Sequence, residues 1–327
     1  MIKPNEEDLK KSLEKIIENS QYESFDDWIS NFASNLSDIW NESSAKELEP
    51  KSPSKYQTES HSAIVIGRGP SIRKHSHLEL LSNSQFKGSI VCCDGKLIDI
   101  LKAGITPDKF PNFYVVTIDP YPKLEKFYDD KIVEKYGSQI KGLFTTISDH
   151  SVVNRARKSG ITIHWFHSLF DLNEGKKSFN YISAQIVRAK KHSKGLPGIQ
   201  TGGNVGTSAW FISWKILKCS NICLIGINHG WEEDDLWDTI LSHGGEKITS
   251  YLDKNDPKFQ KLFKRIFNPD FNCNCIMDPI FQFYSTALRE FISRSPSWVN
   301  TINATEGGSI FGDRINCMKF EKFLKKY

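Results

Sequence analysis

The sequence predicts an α/β protein: a Rossmann-like, doubly wound, mostly parallel sheet with an N-terminal helical extension and a helical C-terminal tail. From residue 62 onwards, short apolar runs alternate with amphipathic stretches of helical length. Strands that alternate with helices form a mostly parallel sheet with helices on both faces, because the crossovers between parallel strands are right-handed. The chain of 327 residues is long enough to bury a sizeable core in one large domain or two.

The apolar runs predict strands, and the amphipathic stretches predict helices. Strands are expected at 63–66, 89–93, 113–118, 142–145, 161–166, 221–225 and near 298–302. Helices are expected at 96–103, 121–136, 207–218, 281–291 and 318–327. The tail from about residue 255 is therefore expected to be mainly helical.

The N-terminal part of the chain differs from the rest. In residues 1–45, apolar side chains recur at helical spacing, and we expect them to dock on the main domain as an accessory unit, with an oligomer contact as the alternative. Residues 46–61 are polar and contain two prolines, which is typical of a linker. The main domain is then expected at 62–310, followed by a C-terminal helix at 311–327.

Charge narrows the ligand class. Residues 1–60 carry 7 basic and 13 acidic groups, a net of −6, so the other residues, with 36 and 26, carry +10. A basic body favours an anionic ligand, either nucleic acid or a phosphorylated small molecule. The one dense basic cluster, 188–194, is interpreted as a solvated helix end. We therefore expect no nucleic-acid partner.

Composition also bears on location. The sequence has no run of 18 apolar residues and no stretch of signal-peptide type, so we expect no membrane span and a cytoplasmic protein. Its seven cysteines include no CxxC pair, which predicts neither a disulfide framework nor a zinc ribbon.

Ligands of open parallel sheets bind beyond the carboxyl ends of the strands, so the residues after each strand are the candidate site. The first strand leads into a predicted helix through Gly67, Gly69, Pro70 and Ser71. Glycines allow close backbone approach, and the free amides of a helix N-terminus attract phosphate or carboxylate. Position 72 is Ile where a dinucleotide fingerprint needs glycine, and no Walker lysine follows, so a plain tight turn is the alternative.

Acidic residues follow the next two strands. Asp94 and Gly95 come after the second strand, and Thr117 and Asp119 after the third. Two carboxylates at neighbouring strand ends can bind ribose hydroxyls, hold a metal or act as a base. Helix capping by Asp94 and turn formation by Asp119 are the structural alternatives.

Two later segments belong to the same sheet edge. A second glycine-rich loop before a helix has the form of an anion or nucleotide site and contains Gly202, Gly203 and Asn204. The strand after that helix ends in Gly226, Asn228 and His229. His229 is either a site residue or an ordinary loop histidine.

Six segments in this order resemble the MptE-like domain. This family is shared by the motility accessory factor (Maf) flagellin glycosyltransferases and archaeal 6-hydroxymethyl-7,8-dihydropterin diphosphokinases. The segments are IVIGRGPS at 64–71, Asp94 with GITPD at 104–108, TIDP at 117–120, GGNVGTSA at 202–209, LIGINHG at 224–230 and INATEGG at 302–308. The last one is similar to the Maf group, so the chain lies closer to that branch.

The resemblance implies a nucleotide-dependent transferase. The Maf branch implies a glycosyltransferase with a nucleotide-activated, CMP-type acidic sugar as donor and a protein or glycan as acceptor. The glycine loops would then bind the phosphate, Asp94 the ribose or sugar, and Asp119 or His229 would act as the base. The alternatives are a 6-hydroxymethyl-7,8-dihydropterin diphosphokinase that uses ATP and Mg²⁺, and a nucleotide-binding protein without catalysis.

Two departures from the family bear on these alternatives. Asn228 stands where many relatives have Asp, which keeps the non-catalytic alternative open. The TDLDG-like and HAHGD-like segments of the pterin enzymes are absent, which favours the glycosyltransferase.

Overall fold

The computed structural model describes residues 25–51, 61–170, 175–189, 195–232, 235 and 263–327. The predicted segments fall partly outside these residues, namely 1–24 of the N-terminal segment, 52–60 of the linker, 190–194 of the basic cluster and 255–262 of the tail.

Thirteen strands are described, ten of them in one parallel sheet and three in a small antiparallel sheet. They are β1 (Ser43–Ser44), β2 (Ser62–Ile66), β3 (Ser89–Cys93), β4 (Phe113–Thr117), β5 (Lys141–Thr145), β6 (Thr162–Leu169), β7 (Gly198–Gln200), β8 (Asn221–Ile225), β9 (Trp231–Glu232), β10 (Lys264–Asn268), β11 (Cys273–Met277), β12 (Asn300–Asn303) and β13 (Ile315–Cys317).

Ten α-helices are described, with short 3-10 helices between them. They are α1 (Phe25–Asn41), α2 (Ser71–Lys74), α3 (His77–Ser82), α4 (Leu97–Lys102), α5 (Lys131–Tyr136), α6 (His150–Lys158), α7 (Phe179–Arg188), α8 (Val205–Lys215), α9 (Pro279–Ser293) and α10 (Phe320–Lys326). Among these described helices, none has the length and apolar character needed to cross a bilayer.

The order of the parallel sheet creates a crevice. The strands lie in the order β1-β6-β5-β4-β3-β2-β8-β12-β13, with β7 beside β6. From β2 the chain therefore builds outward to one side through β6 and later returns to the other side of β2 with β8. The order reverses between β2 and β8, where Ile66 pairs with Ile225. Ligands of doubly wound sheets bind at such a reversal.

Each central strand is buried on both faces, as expected for a parallel sheet with helices on both sides. In β2, Ile64 and Ile66 pack in one core and Ala63 and Val65 in the other. The second core contains α8, which is buried all around between Gly206 and Ser213. A helix that is apolar on all sides is buried in this way. The predicted α/β fold class is therefore confirmed.

The N-terminal helix is part of this core. Phe32 and Ile39 of α1 are buried in the first core. Asn35 Nδ2 donates hydrogen bonds to the carbonyl oxygens of Ser148 and Thr146, at 2.7 and 3.3 Å. α1 thus docks on the main domain, and its side chains pack into the first core. That residues 1–45 form an accessory unit stays a prediction.

The start of the predicted linker carries secondary structure. β1 pairs in parallel with β6, so the chain enters the main sheet before residue 46. A 3-10 helix, Ala45–Leu48, follows, and Ser44 and Glu47 form a capping box at its start. This reciprocal pair satisfies the first amides of the helix and makes a local structure out of a polar sequence.

Three other segments also differ from the prediction. The predicted helix 121–136 is divided into a 3-10 helix, Pro122–Phe127, and α5, whose first turn is capped by Asp130. The tail contains the β10–β11 hairpin as well as helices, because five residue pairs join these short strands. β13 extends the main sheet beyond the predicted boundary at residue 310.

Candidate functional site

A cavity of about 620 Å³ opens at the reversal between β2 and β8. Sites for small molecules usually have this size. Three loops that follow strands, the start of α8 and the first turns of α9 form its walls. The lining residues are Gly67, Arg68, Gly69, Pro70, Ile72, Arg73, Cys93, Lys96, Asn204, Val205, Gly206, Gly226, Ile227, Asn228, His229, Gly230, Trp231, Phe281 and Tyr284.

The loop after β2 is attached to the loop after β8. The amides of Gly67 and Gly69 donate to the carbonyl oxygens of Ile225 and Gly226, at 2.9 and 2.8 Å. A Cβ atom at Gly69 would overlap Asn228 Oδ1, and a Cβ atom at Gly67 would overlap the carbonyl oxygen of Gly226. These glycines therefore allow the two loops to touch, and their own amides are engaged with protein carbonyls.

Three cationic side chains line the cavity: Arg68, Arg73 and Lys96. The guanidinium carbon of Arg68 lies 5.2 Å from the ring centroid of Phe127. The same side chain passes over Gly95, where a Cβ atom would come within 2.8 Å of its Cδ. Among the described residues that line the cavity, none carries a carboxylate. The site therefore has the electrostatics of an anion site.

The start of α8 adds backbone donors. Asn204 caps this helix, because its Oδ1 accepts from the amide of Thr207 at 2.9 Å. Val205 and Gly206, the first two residues of the helix, line the cavity. Amides at these positions have no acceptor within a helix and attract anions.

The two glycines before Asn204 serve the turn into α8. Gly202 and Gly203 have φ values of +52° and +83°, which favour glycine. A Cβ atom at Gly203 would overlap the ring of Tyr284 on α9. They pack against α9 behind the cavity instead of lining it.

An aromatic wall closes one side of the cavity. We use this name for His229, Trp231, Phe281 and Tyr284, all of which line it. The ring centroids of Trp231 and Phe281 are 4.6 Å apart, and the rings of His229 and Phe281 are stacked at 5.9 Å. Burial raises the pKa of Tyr284 above its usual value, with a further contribution from Asp119.

The two strand-end carboxylates lie beside the cavity. The side chain of Asp94 is only 5% exposed, and its Oδ1 accepts from the amide of Gly95 at 2.6 Å. Burial, and next the charge of Asp119, raise the pKa of Asp94 to about 7. Burial also raises the pKa of Asp119, while Lys123 and Arg68 oppose this shift. Thr117 is buried and hydrogen-bonds the hydroxyl of Tyr128.

Half of the predicted site residues line the cavity. Those that do are Gly67, Gly69, Pro70, Asn204, Gly226, Asn228 and His229. The structure places the others behind or beside it: Ser71, Asp94, Gly95, Thr117, Asp119, Gly202 and Gly203. Their assignment to ligand binding and, for Asp119, to catalysis stays a prediction.

Sequence reasoning missed several residues of the cavity, above all Arg68, Arg73, Lys96, Phe281 and Tyr284. Arg68 stands between the two loop glycines, and Lys96 follows the end of β3 by three residues, so their positions carried a usable signal. The two aromatic residues of α9 carried none, because α9 lies far along the chain.

The diphosphokinase alternative implies Mg²⁺, so the metal-binding side chains near the cavity bear on it. Within the described ranges, no group of three or more His, Cys, Asp or Glu side chains is placed to hold a metal ion. Mg²⁺ binds oxygen ligands, usually including one or two carboxylates. The described lining offers cations and amides instead, and the carboxyls of Asp94 and Asp119 are not part of it. The lining residues therefore do not fit a Mg²⁺ ion held by the protein.

Comparisons with known proteins point to one family. The model of the 6-hydroxymethylpterin diphosphokinase MptE-like family matches residues 30–234, a span that begins within α1. No curated protein matches the chain.

A solved structure of a MAf glycosyltransferase from Magnetospirillum magneticum AMB-1 has a TM-score of 0.55 and 13% sequence identity to this chain. The likeness covers 85% of this chain and 39% of that chain, so it concerns the fold of part of a longer protein. The name of the matching family describes a group-transfer enzyme. Because the family model matches more than half of its length, this chain belongs to the MptE-like family.

Proposed function

We propose that the protein is a nucleotide-dependent transferase, specifically a Maf-like glycosyltransferase whose donor is a CMP-type acidic sugar. The observation that carries this proposal is the cavity between β2 and β8, which combines three cations, the start of α8 and an aromatic wall. Each of these features matches one part of such a donor.

The cations and the start of α8 match the negative groups of the proposed donor. A CMP-type acidic sugar carries one phosphodiester and one carboxylate. Lys96 already pairs with Asp99 at 2.8 Å. Arg68 and Arg73 can still serve the phosphate and the carboxylate of the sugar. The amides of Val205 and Gly206 add donors that suit a phosphate oxygen.

The aromatic wall matches the nucleobase of the donor. Nucleobases stack on aromatic side chains in a way that contributes about 1–3 kcal/mol per base. Phe281 and Tyr284, together with Trp231, present such rings at one side of the cavity. Stacking does not by itself select cytosine, so a comparison of nucleotides is needed to identify the nucleobase.

The reaction then needs a base for the acceptor. The bond between the anomeric carbon and the phosphate oxygen breaks, the acceptor oxygen bonds to that carbon, and the acceptor proton passes to a base. His229 lines the cavity and is the first candidate for this base. The cations and helix amides stabilise the phosphate as it leaves. Asp119, beside the cavity, is the second candidate for the base.

A second candidate function follows from the family name, which is that of a 6-hydroxymethylpterin diphosphokinase. This reaction would use ATP and Mg²⁺ in the same cavity. The described donor set does not fit a Mg²⁺ ion held by the protein, which is why we place this function second.

A thermal-shift screen tests the proposal. The panel is CMP, CDP, UDP, GDP and ATP, each with and without Mg²⁺. A ligand at about 100 times its Kd stabilises a protein by about 2.7 kcal/mol. We expect a cytidine nucleotide to give the largest shift without Mg²⁺. A shift with ATP that requires Mg²⁺ would support the diphosphokinase instead.

Two variants locate the response. Arg68→Ala should reduce the shift, because Arg68 lines the cavity. Lys102→Ala removes a cation of α4 that pairs with Asp130 at 2.7 Å and does not line the cavity, so the shift should be unchanged. If no nucleotide at millimolar concentration stabilises the wild-type protein, both proposed functions are wrong.

A further inference from the structure

Asn228 occupies a central place in the cavity. It follows β8, lines the cavity and is 3% exposed. Its Oδ1 accepts a hydrogen bond from the hydroxyl of Ser71 at 2.9 Å. This hydrogen bond orients the amide, and its NH₂ group is the part that can donate to a ligand. Within the described residues, no hydrogen bond is seen from Asn228 Nδ2, and the residue lines the cavity.

The surrounding backbone fixes this amide. Gly69 lies against Asn228 Oδ1, where any side chain would overlap it. A Cβ atom at Gly308 would come within 2.7 Å of Asn228 Cα. The amide of Ser309 donates to the carbonyl oxygen of Asn228 at 2.8 Å. The side chain is therefore oriented before any ligand arrives, so little entropy is lost when it donates a hydrogen bond.

The charged side chains of Arg, Lys, Asp and Glu type that line the cavity are of one sign, whereas Asp94 and Asp119 lie beside it. Arg68, Arg73 and Lys96 line the same cavity, and the described lining contains no carboxylate. Cations and amide NH₂ groups are donors only, so they can bind an anion but cannot coordinate a divalent cation. A phosphorylated ligand can therefore bind these groups directly.

We infer that Asn228 donates its side-chain NH₂ group to an anionic oxygen of the ligand, and that the cavity binds this ligand without a divalent cation. The inference rests on the proposed function, because it takes the ligand to be phosphorylated. It makes Asn228 a specificity-determining residue: an amide selects the bare anion, whereas a carboxylate at the same place would select its metal complex.

Isothermal titration of the full chain tests the inference. The probes are CMP and inorganic pyrophosphate, each in EDTA and in Mg²⁺. We expect the wild-type protein to bind in EDTA, with no gain in affinity from Mg²⁺. Pyrophosphate binding without CMP binding would support the inference and contradict the proposed CMP-type donor. CMP binding that requires Mg²⁺ would overturn the inference and leave a nucleotide-dependent function intact. No binding in either buffer would overturn both.

Variants test the role of the amide. Asn228→Asp keeps the acceptor for Ser71 but replaces the donor with a negative charge. In EDTA its affinity should fall about 10- to 100-fold, the usual effect of losing a hydrogen bond to a charged group. Mg²⁺ should restore binding to Asn228→Asp but not to Asn228→Ala.

The matched control is Asn83→Asp, which makes the same charge change at an exposed residue after α3. It should bind like the wild-type protein in both buffers. Wild-type affinity of Asn228→Asp in EDTA would overturn the role of the amide. Should that variant not fold, as judged by circular dichroism, the wild-type comparison of EDTA with Mg²⁺ still decides the metal-free part.

Discussion

At the scale of single residues, the two candidate bases differ in position. His229 lines the cavity, whereas Asp119 lies beside it, where burial raises the pKa of its carboxyl. A group that accepts the proton of the acceptor must come within hydrogen-bond reach of it. His229 meets this requirement more directly, so the proposed reaction assigns the proton to it.

His229→Gln should lower turnover about 100- to 10,000-fold, the usual range for a lost acid–base group. Asp119→Asn should stay within a few-fold of the wild-type rate, because Asn makes the same local hydrogen bonds in a turn. Sugar transfer from the CMP-activated donor, measured at saturation, checks both. A large loss in Asp119→Asn with little change in His229→Gln would reverse the assignment.

Asp94 makes a different contribution. Burial raises its pKa from 3.8 to about 7, so the folded protein favours the protonated form. Below pH 3.8 the group is protonated in both the folded and the unfolded protein, and its full stabilising effect is present. The free energy of unfolding then falls as pH rises from 3.8 towards 7, because ionisation costs more in the folded state.

Asp94→Asn should remove this pH dependence, since Asn can accept the same hydrogen bond from Gly95. Burial lowers the pKa values of His77 and His167 to about 4. These two groups therefore make the free energy of unfolding rise with pH below pH 6.5, opposite to the effect of Asp94. Both histidines are present in the variant and in the wild-type protein, so their contribution cancels when the free energies of unfolding of the two proteins are subtracted. Between pH 5 and 8, the stability of Asp94→Asn relative to wild type should rise by about 2–3 kcal/mol. Urea unfolding measures it, and parallel pH profiles would contradict the raised pKa.

At the scale of elements, α1 and the loop after β5 depend on one another. Asn35 is fully buried in α1 and donates to two carbonyl oxygens of that loop, those of Thr146 and Ser148. The Nδ1 atom of His150, at the start of α6, lies 3.0 Å from Asn35 Oδ1. A single amide side chain thus joins three elements, which explains why a helix outside the predicted domain is part of its core.

Asn35→Ala should lower the free energy of unfolding by about 2 kcal/mol, because it leaves buried polar groups without their partner. Asn41→Ala is the matched control on the same helix, where Nδ2 donates at an exposed site to the carbonyl oxygen and the hydroxyl oxygen of Ser37, at 2.8 and 3.5 Å. Its effect should stay within about 0.5 kcal/mol. Chemical denaturation measures both variants. Equal effects would mean that the buried bonds of α1 do not stabilise the fold.

At the scale of the whole molecule, both ends of the described chain belong to the parallel sheet and its first core. β1 pairs with β6 at one edge and β13 with β12 at the other, so segments near both ends of the chain complete the same sheet. Phe320 and Phe323 of α10 are buried in the same core as Phe32 and Ile39 of α1. Removing either end therefore exposes the core.

Deletion of residues 1–45 should abolish the cooperative unfolding transition, because it removes α1 and β1 together with their buried side chains. Differential scanning calorimetry and circular dichroism measure this loss. A truncated protein that still melts cooperatively and binds nucleotide like the full chain would show that the segment is an accessory unit after all.

The strands of the main sheet were predictable because each is marked locally. The observed bounds of β3 and β8 coincide with the predicted ones, and those of β2 and β4 differ by one residue at one end. Continuous apolar runs between polar turns identify strands that are buried on both faces. The β10–β11 hairpin has no such run, and its pairing depends on a partner strand, so the sequence predicted helix there.

The candidate site was predictable only in outline. The sequence by itself determined the fold class and the loops at the carboxyl ends of the strands, because alternating apolar runs and glycines before helices are local signals. Tertiary structure alone decided which residues share the cavity: it placed Phe281 and Tyr284 of α9 in the same lining as the first loop and left Asp94 outside that lining. The physical reason is that contacts between distant segments depend on how whole helices pack on the sheet, which no local pattern encodes.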